Sequence, residues 1–185
     1  TITYTGNIYP RRQSPEPLFT ALHELIIGRD VDPSGIEVRF YGAKLLWLDK
    51  LAARYGLSDI VKQCGIVPQS VAQESQRESQ LLLHLKWQDS TKRGVYTAKI
   101  FEYLAAARPI LAIGGFEDVV TDLLSETGAG TWGKTVEDIK SSLMTSYSEY
   151  TSNGFITYNG QFDKIENYSH REMARRYASI LDSVV

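Results

Sequence analysis

The residues best suited to chemistry lie between Gly94 and Gly114, in the run G-V-Y-T-A-K-I-F-E-Y-L-A-A-A-R-P-I-L-A-I-G. A glycine and a short polar loop lead into a helix expected over 97–107, and the apolar run 109–113 then reads as a buried strand. The N–H groups at such a helix start lack partners and form an anion site suited to a pyrophosphate, with Val95, Tyr96 and Thr97 on its approach. Glu102 stands one turn in, beside the small side chains of Ala98, Ala105 and Ala106, which leave room for a ligand. A carboxylate there can accept two hydrogen bonds from the vicinal hydroxyls of a ribose. Ile100, Phe101 and Leu104 are expected on the core side, with Tyr103 beneath the helix and Arg108-Pro109 ending it. The same spacing also describes a solvated acid on an amphipathic helix after a plain connecting loop. Spacing alone leaves both readings open.

Such a site needs a sheet behind it, and short apolar runs alternate with helical periodicity along the chain. A strand over 2–4 ends at Gly6; Ser14 then offers an N-cap, Pro15 a first helical residue and Glu16 an acid for the positive helix end. Leu18, Leu22, Leu25 and Ile26 follow at helical spacing. A strand over 36–41 stops at Gly42, a helix over 44–55 stops at Gly56, and a weaker strand covers 60–67. Ser70-Val71-Ala72-Gln73 reads as a capping box opening a polar helix, and 81–85 as a strand buried on both faces. The loop 86–94 leads to the central segment. Beyond it come a helix over 118–125, a brief strand over 130–132, and a helix from 136 to about 150. The last helix opens with Ser169 and Glu172 and is expected to run to about Val184. This alternation predicts an α/β fold, a doubly wound parallel sheet, as a single domain over 1–185. Ligands bind such sheets at the carboxyl ends of the strands, so the loops 6–13, 42–43, 67–70, 86–97 and 114–117 are those that face one.

The segment from Lys99 to Ala112, K-I-F-E-Y-L-A-A-A-R-P-I-L-A, resembles the stretch K-(L/I)-(F/Y)-E-Y-L-A-x-(G/A)-(K/R)-P-(I/V)-(L/V)-A of family 4-like GT-B glycosyltransferases. Weaker likeness extends over nearly the whole chain, from the opening strand and glycine turn to the closing helix. The resemblance implies a Rossmann-like C-terminal domain of the GT-B fold that binds a nucleotide-sugar donor. It implies that Glu102 holds the donor ribose. Gly65-Ile66-Val67-Pro68 resembles the family's G-x-V-P turn, which implies that the Val67 backbone faces the donor base. Two positions depart from the family pattern. Eight residues before Glu102, where a sugar-contacting glutamate often stands, this chain has Gly94. After the glycine of the first strand, where many members carry an Arg and a Lys that clamp the diphosphate, Asn7 follows Gly6 and the nearest bases are Arg11 and Arg12. An arginine fork suits phosphate, so both join Val95, Tyr96 and Thr97 as donor-diphosphate candidates, with an exposed loop charge as the other reading.

Composition bounds the rest. With 43% hydrophobic and 23% charged residues the chain suits a packed globular domain, and a net charge of -2 offers no general attraction to nucleic acid or anionic membrane. Cys64 is the single cysteine, so neither an intrachain disulfide nor a thiolate metal cluster can form. No apolar run approaches the ~20 residues that span a bilayer. Gly128-Ala129-Gly130-Thr131-Trp132-Gly133 satisfies G-x-G-x-x-G but follows a helix instead of a strand, and reads as a turn into a short strand. His23, His84 and His170 show no metal spacing; His84 is expected as a satisfied core histidine and His170 as exposed. Asn167-Tyr168-Ser169 matches a glycosylation sequon and is read as chance. Trp87 and Tyr96 fall in loops on the ligand side, within reach of a sugar or base.

The function implied by the resemblance is transfer of a hexose-type sugar from a nucleoside-diphosphate sugar to an acceptor hydroxyl, with retention, no cofactor and no obligatory metal. Its partners are the donor and an N-terminal acceptor domain absent from this chain. The chain opens in a strand without an initiator Met, so a fragment is expected, able to bind donor but inactive alone. A cytoplasmic location is expected, with any peripheral membrane contact made through the missing domain. No catalytic residue can be named. Two other classes remain: a GT-B-fold nucleotide-sugar 2-epimerase and a non-catalytic doubly wound module such as a signalling receiver. Thr5-Gly6-Asn7 lacks the acidic pair that a receiver places after its first strand.

Overall fold

In the computed structural model, which describes residues 1–89, 91 and 94–183, six strands form one sheet with every neighbouring pair parallel. The strands are β1 (Ile2–Thr5), β2 (Val38–Tyr41), β3 (Val61–Gly65), β4 (Leu81–Leu85), β5 (Ile110–Ile113) and β6 (Gly130–Gly133), in the spatial order β3-β2-β1-β4-β5-β6. The chain winds outward from β1 in one direction and then from β4 in the other, so the topological switch point lies between β1 and β4.

Residue type explains why the middle of the sheet is buried on both sides. In β4 the side chains alternate faces: Leu81, Leu83 and Leu85 join the larger core with Tyr4, Leu18, Phe19 and Leu22, whereas Leu82 joins a second core with Ile100, Tyr103, Leu104 and Val120. Helices α1 (Glu16–Ile27), α2 (Leu46–Arg54) and α6 (Val136–Asn153) supply the first core; α4 (Ala98–Ala106) and α5 (Val119–Thr127) supply the second. Helix α3 (Gln69–Glu78) packs against α4 and the end of β1.

Local signals placed most of these elements. Ser14 caps α1 as its spacing predicts, accepting the Glu16 N–H at 3.1 Å, although Pro15 occupies the boundary and the helix proper begins at Glu16. Helix α6 opens on a reciprocal capping box between Thr135 and Asp138. The box expected at Ser70 and Gln73 is not formed: α3 starts two residues earlier, after Pro68, and no side chain caps it. The preset backbone of Pro68 ends the preceding strand segment and sets the helix start itself. A short helix α7 (Phe162–Glu166) had no periodic signal, being barely more than one turn. The closing helix α8 (His170–Asp182) starts where Ser169 accepts the Glu172 N–H at 3.1 Å, but Glu172 turns to Arg175 and Arg176 instead of closing the box. It buries no residue and leaves Tyr177, Ile180 and Leu181 exposed. Its expected end at Val184, and Ser90, Lys92 and Arg93 of the loop 86–94, lie outside the described residues. Among the described residues no helix is long and apolar enough to cross a membrane.

Candidate functional site

At the carboxyl ends of β1 and β2 the strands stop at two glycines that approach each other closely. Gly6 has φ +102° and Gly42 φ +155°, and a Cβ on Gly42 would run into the Gly6 carbonyl oxygen. Only glycine lets both turns pass so near, and the result is a bare backbone floor. Above it opens a cleft of about 420 Å³, lined by Thr5, Gly6, Tyr41, Val67, Lys99 and Glu102 among others. It lies on the β1 side of the switch point, where sheet topology predicts a ligand.

One polar chain fixes the cleft wall. The Thr5 backbone N–H donates to the Tyr103 hydroxyl at 2.9 Å. Gln76 of α3, 1% exposed, donates from Nε2 to Thr5 Oγ1 at 2.9 Å and to Glu102 Oε2 at 3.3 Å. Helices α3 and α4 are thereby tied to the end of β1, and the half-buried Glu102 carboxylate is held at the cleft with acceptor capacity to spare. Glu102 also borders a groove of about 430 Å³ between α3 and α4, closed at one end by Tyr168, Ser169 and His170.

The start of α4 faces the same cleft through Ala98 and Lys99. Thr97 precedes the helix without capping it, and its buried Oγ1 has no hydrogen-bond partner among the described residues. Lys99 lies with Nζ 3.7 Å from the centre of the Tyr4 ring. Burial pulls its ammonium down to about 7, against a weaker upward pull from Glu102. No carboxylate pairs with Lys99 among the described residues.

A second charged assembly stands at the ends of β4, β5 and β6. Lys86, 2% exposed, donates to Asp118 Oδ1 at 2.8 Å and to the Phe116 carbonyl, with its Nζ 4.6 Å from the centre of the Trp132 ring. Trp132 Nε1 donates to the Gly114 carbonyl at 2.9 Å. The loop after β5 is thus clamped on both sides.

The residues singled out from sequence separate into two groups. Glu102 and Val67 both line the cleft. Val95 and Tyr96 lie outside its lining, and Tyr96 stacks into an aromatic group with Phe101 and Tyr168 at ring distances of 5.5 and 6.4 Å. Thr97 sits at the boundary, contributing the turn but not the lining. Neither Arg11 nor Arg12 lines it: Arg11 borders a different hollow beside Trp47 and Gln88, and Arg12 lies over Trp87, which also stacks on Tyr9. Phe101, expected on the core side, is half-buried and packs against the second core, and Tyr103 is fully buried. Gly94 is exposed with open space around it, and Gly128 ends α5 as the turn into β6. His84 is buried as expected but not satisfied: its Nδ1 has no partner, and burial lowers it to about 3, with Lys99 and Lys86 adding to the effect. His170 is exposed.

Two residues at the cleft carry no sequence signal of their own. Gln76 sits on a helix that is polar almost throughout, so nothing marks it as buried. Lys99 lies inside the recognised motif, but only the packing of α4 on β1 places it over Tyr4.

Known proteins give structural likeness without sequence likeness. No family model matches the chain, and no curated protein matches it. Among solved structures, Anabaena HepE, in complex with UDP and glucose, superposes with a TM-score of 0.73 at 14% identity, over 98% of this chain and 48% of that one. A glycosyltransferase from Rickettsia africae gives 0.72 at 14% identity, over 99% and 47%. The lipopolysaccharide outer core galactosyltransferase WaaB gives 0.68 at 13% identity, over 100% and 49%. The chain has the Rossmann-like fold of the C-terminal domain of GT-B glycosyltransferases. It spans about half the length of the solved proteins it resembles.

Proposed function

We propose that this chain is the donor-binding half of a glycosyltransferase, taking a nucleoside-diphosphate sugar and, joined to an N-terminal acceptor domain, transferring the sugar to an acceptor hydroxyl. The observation that carries the reading is the Glu102 carboxylate, held by Gln76 at a cleft beside an uncapped helix start. A ribose diol suits the free acceptor positions of that carboxylate, and a diphosphate suits the helix N–H groups. Val67 would then offer its backbone to the base. The fold supports the reading, since HepE binds UDP within the same architecture.

The finer features follow from the same reading. Transfer proceeds with retention, and the leaving diphosphate is met by N–H groups and positive side chains instead of a bound metal. The acceptor side belongs to the other half of the protein, and the exposed Tyr177, Ile180 and Leu181 of α8 are an apolar face for that half to cover. The 185-residue chain alone is expected to bind donor and to transfer nothing. A cytoplasmic site of action, with membrane contact only through the other half, completes the proposal.

Calorimetry with UDP, GDP and ADP tests it. One of the three should bind, and Glu102→Ala should weaken that nucleotide by about 1–3 kcal/mol, the worth of a hydrogen bond to a charged group. Unchanged affinity in Glu102→Ala would overturn the assignment of the ribose site.

A further inference from the structure

Within that reading the diphosphate lacks a cation where the sequence suggested one. Arg11 and Arg12 lie away from the cleft, Arg12 over Trp87. Lys99 is the one basic side chain in the cleft lining among the described residues. It leaves the first turn of α4 and runs back toward the helix start, as helical side chains do. Its Nζ reaches the Gly6 turn, where an added Cβ would stand 3.3 Å away. Tyr4 beneath it is itself locked, fully buried with its hydroxyl donating to the Asn7 carbonyl at 2.8 Å. The amino group is therefore fixed at the backbone floor, next to the uncapped start of α4, and no acid neutralises it.

We propose that Lys99 is the cation that meets the donor's diphosphate, in place of the loop arginines, and that a proton from solvent joins its amine as the donor binds. Desolvation makes the amine shed its proton readily, against the attraction of the Tyr4 ring face for the ammonium; a diphosphate within reach reverses that preference. Sign follows directly. With Lys99 at about 7 in the empty protein, the cleft is charged below neutrality and must recruit a proton above it. Donor affinity is thus level at low pH and falls as pH rises past neutrality.

The other titratable groups around Lys99 are Tyr4 from β1, Tyr41 from β2, His84 from β4, and Glu102 and Tyr103 from α4. Burial raises Tyr4, raises Tyr103 to about 12 and lowers His84 to about 3, so these three keep a single charge through the neutral range.

The test uses the 185-residue chain and whichever of UDP-glucose, GDP-mannose and ADP-glucose binds it, because their diphosphate diesters do not titrate near neutrality. Calorimetry in buffers of different ionisation enthalpy should show uptake approaching one proton above pH ~7, with affinity falling towards about tenfold per pH unit. Lys99→Met should lower affinity about tenfold or more at pH ~6.5 and remove the uptake, whereas Lys99→Arg should keep the affinity and also lose the uptake. Binding by the unmodified chain with no proton uptake overturns the inference alone, as does full affinity in Lys99→Met. The wild-type titration decides the matter even if a variant fails to fold. If no nucleotide sugar binds, both this inference and the donor-binding reading fail.

Discussion

Lys86 and Lys99 both stand at the ligand end of the sheet, and both lie against an aromatic ring, but their surroundings differ in charge. Lys86 rests near Trp132 and is paired with Asp118, which also caps α5 through the N–H groups of Val120 and Thr121. Lys99 rests on Tyr4 and is paired with no carboxylate among the described residues. Burial lowers both amines; for Lys86 the Asp118 carboxylate pulls back directly, whereas for Lys99 the more distant Glu102 offsets little. A buried charge with its counterion in place is a completed structure and can serve as a clamp. One without a counterion is poised for an anion from outside. The β4–β6 end of the sheet therefore carries a paired lysine, and the β1–β2 end a lysine whose charge no acid among the described residues pairs.

The largest effect should come from breaking the completed pair. Asp118→Ala strands a buried ammonium and uncaps α5, and should cost about 3–5 kcal/mol in urea denaturation. Replacing Lys86 and Asp118 together by Met and Asn should recover most of that loss, because no uncompensated charge remains; failure to recover would mean that the pair does more than balance charge.

A smaller effect is expected where the clamp crowds the backbone. A Cβ on Gly115, φ +66°, would stand 2.9 Å from Lys86 Cβ and 2.6 Å from the Trp87 carbonyl oxygen. Gly115→Ala should cost about 1–3 kcal/mol, the scale of a strained left-handed residue, whereas Gly94→Ala, in open space, should change stability by less than about 0.5 kcal/mol. Equal losses at the two glycines would remove the contrast between a clamped loop and an open one.

A further prediction concerns stability against pH. Lys99 is at about 7 in the folded chain and near the ordinary lysine value of 10.5 when unfolded, so between those values the unfolded state holds more protons. Stability should therefore rise with pH across that window for wild type relative to Lys99→Met, measured by urea denaturation at a series of pH values. Parallel profiles would show that Lys99 is compensated in the folded chain and would erase its difference from Lys86.

Much of this architecture was readable in residue order. The continuous apolar run from Leu81 to Leu85 reads as a strand buried on both faces, as found, and the glycines at 6 and 42 mark where strands stop. The structure departs from a local signal where that signal has competitors. Ser70 satisfied a capping pattern, but Pro68 started the helix first. Chain proximity to Gly6 points Arg11 and Arg12 towards the cleft, but neither lines it: Arg11 takes a left-handed backbone at φ +66° and Arg12 turns to an indole from the loop after β4.

The sequence by itself determined the alternating elements, the parallel sheet and the position of Glu102 one turn into α4, because periodicity, caps and glycine stops act over a few residues. Only the tertiary structure decided which charges share the cleft. Tyr103 meets Thr5, Lys99 meets Tyr4 and Gln76 meets Glu102 across long stretches of chain, through strand pairing and helix docking. Whether a lysine is a clamp or an open site depends on what lies within a few ångströms of its nitrogen. That distance is set by packing, and no local pattern of residues records it.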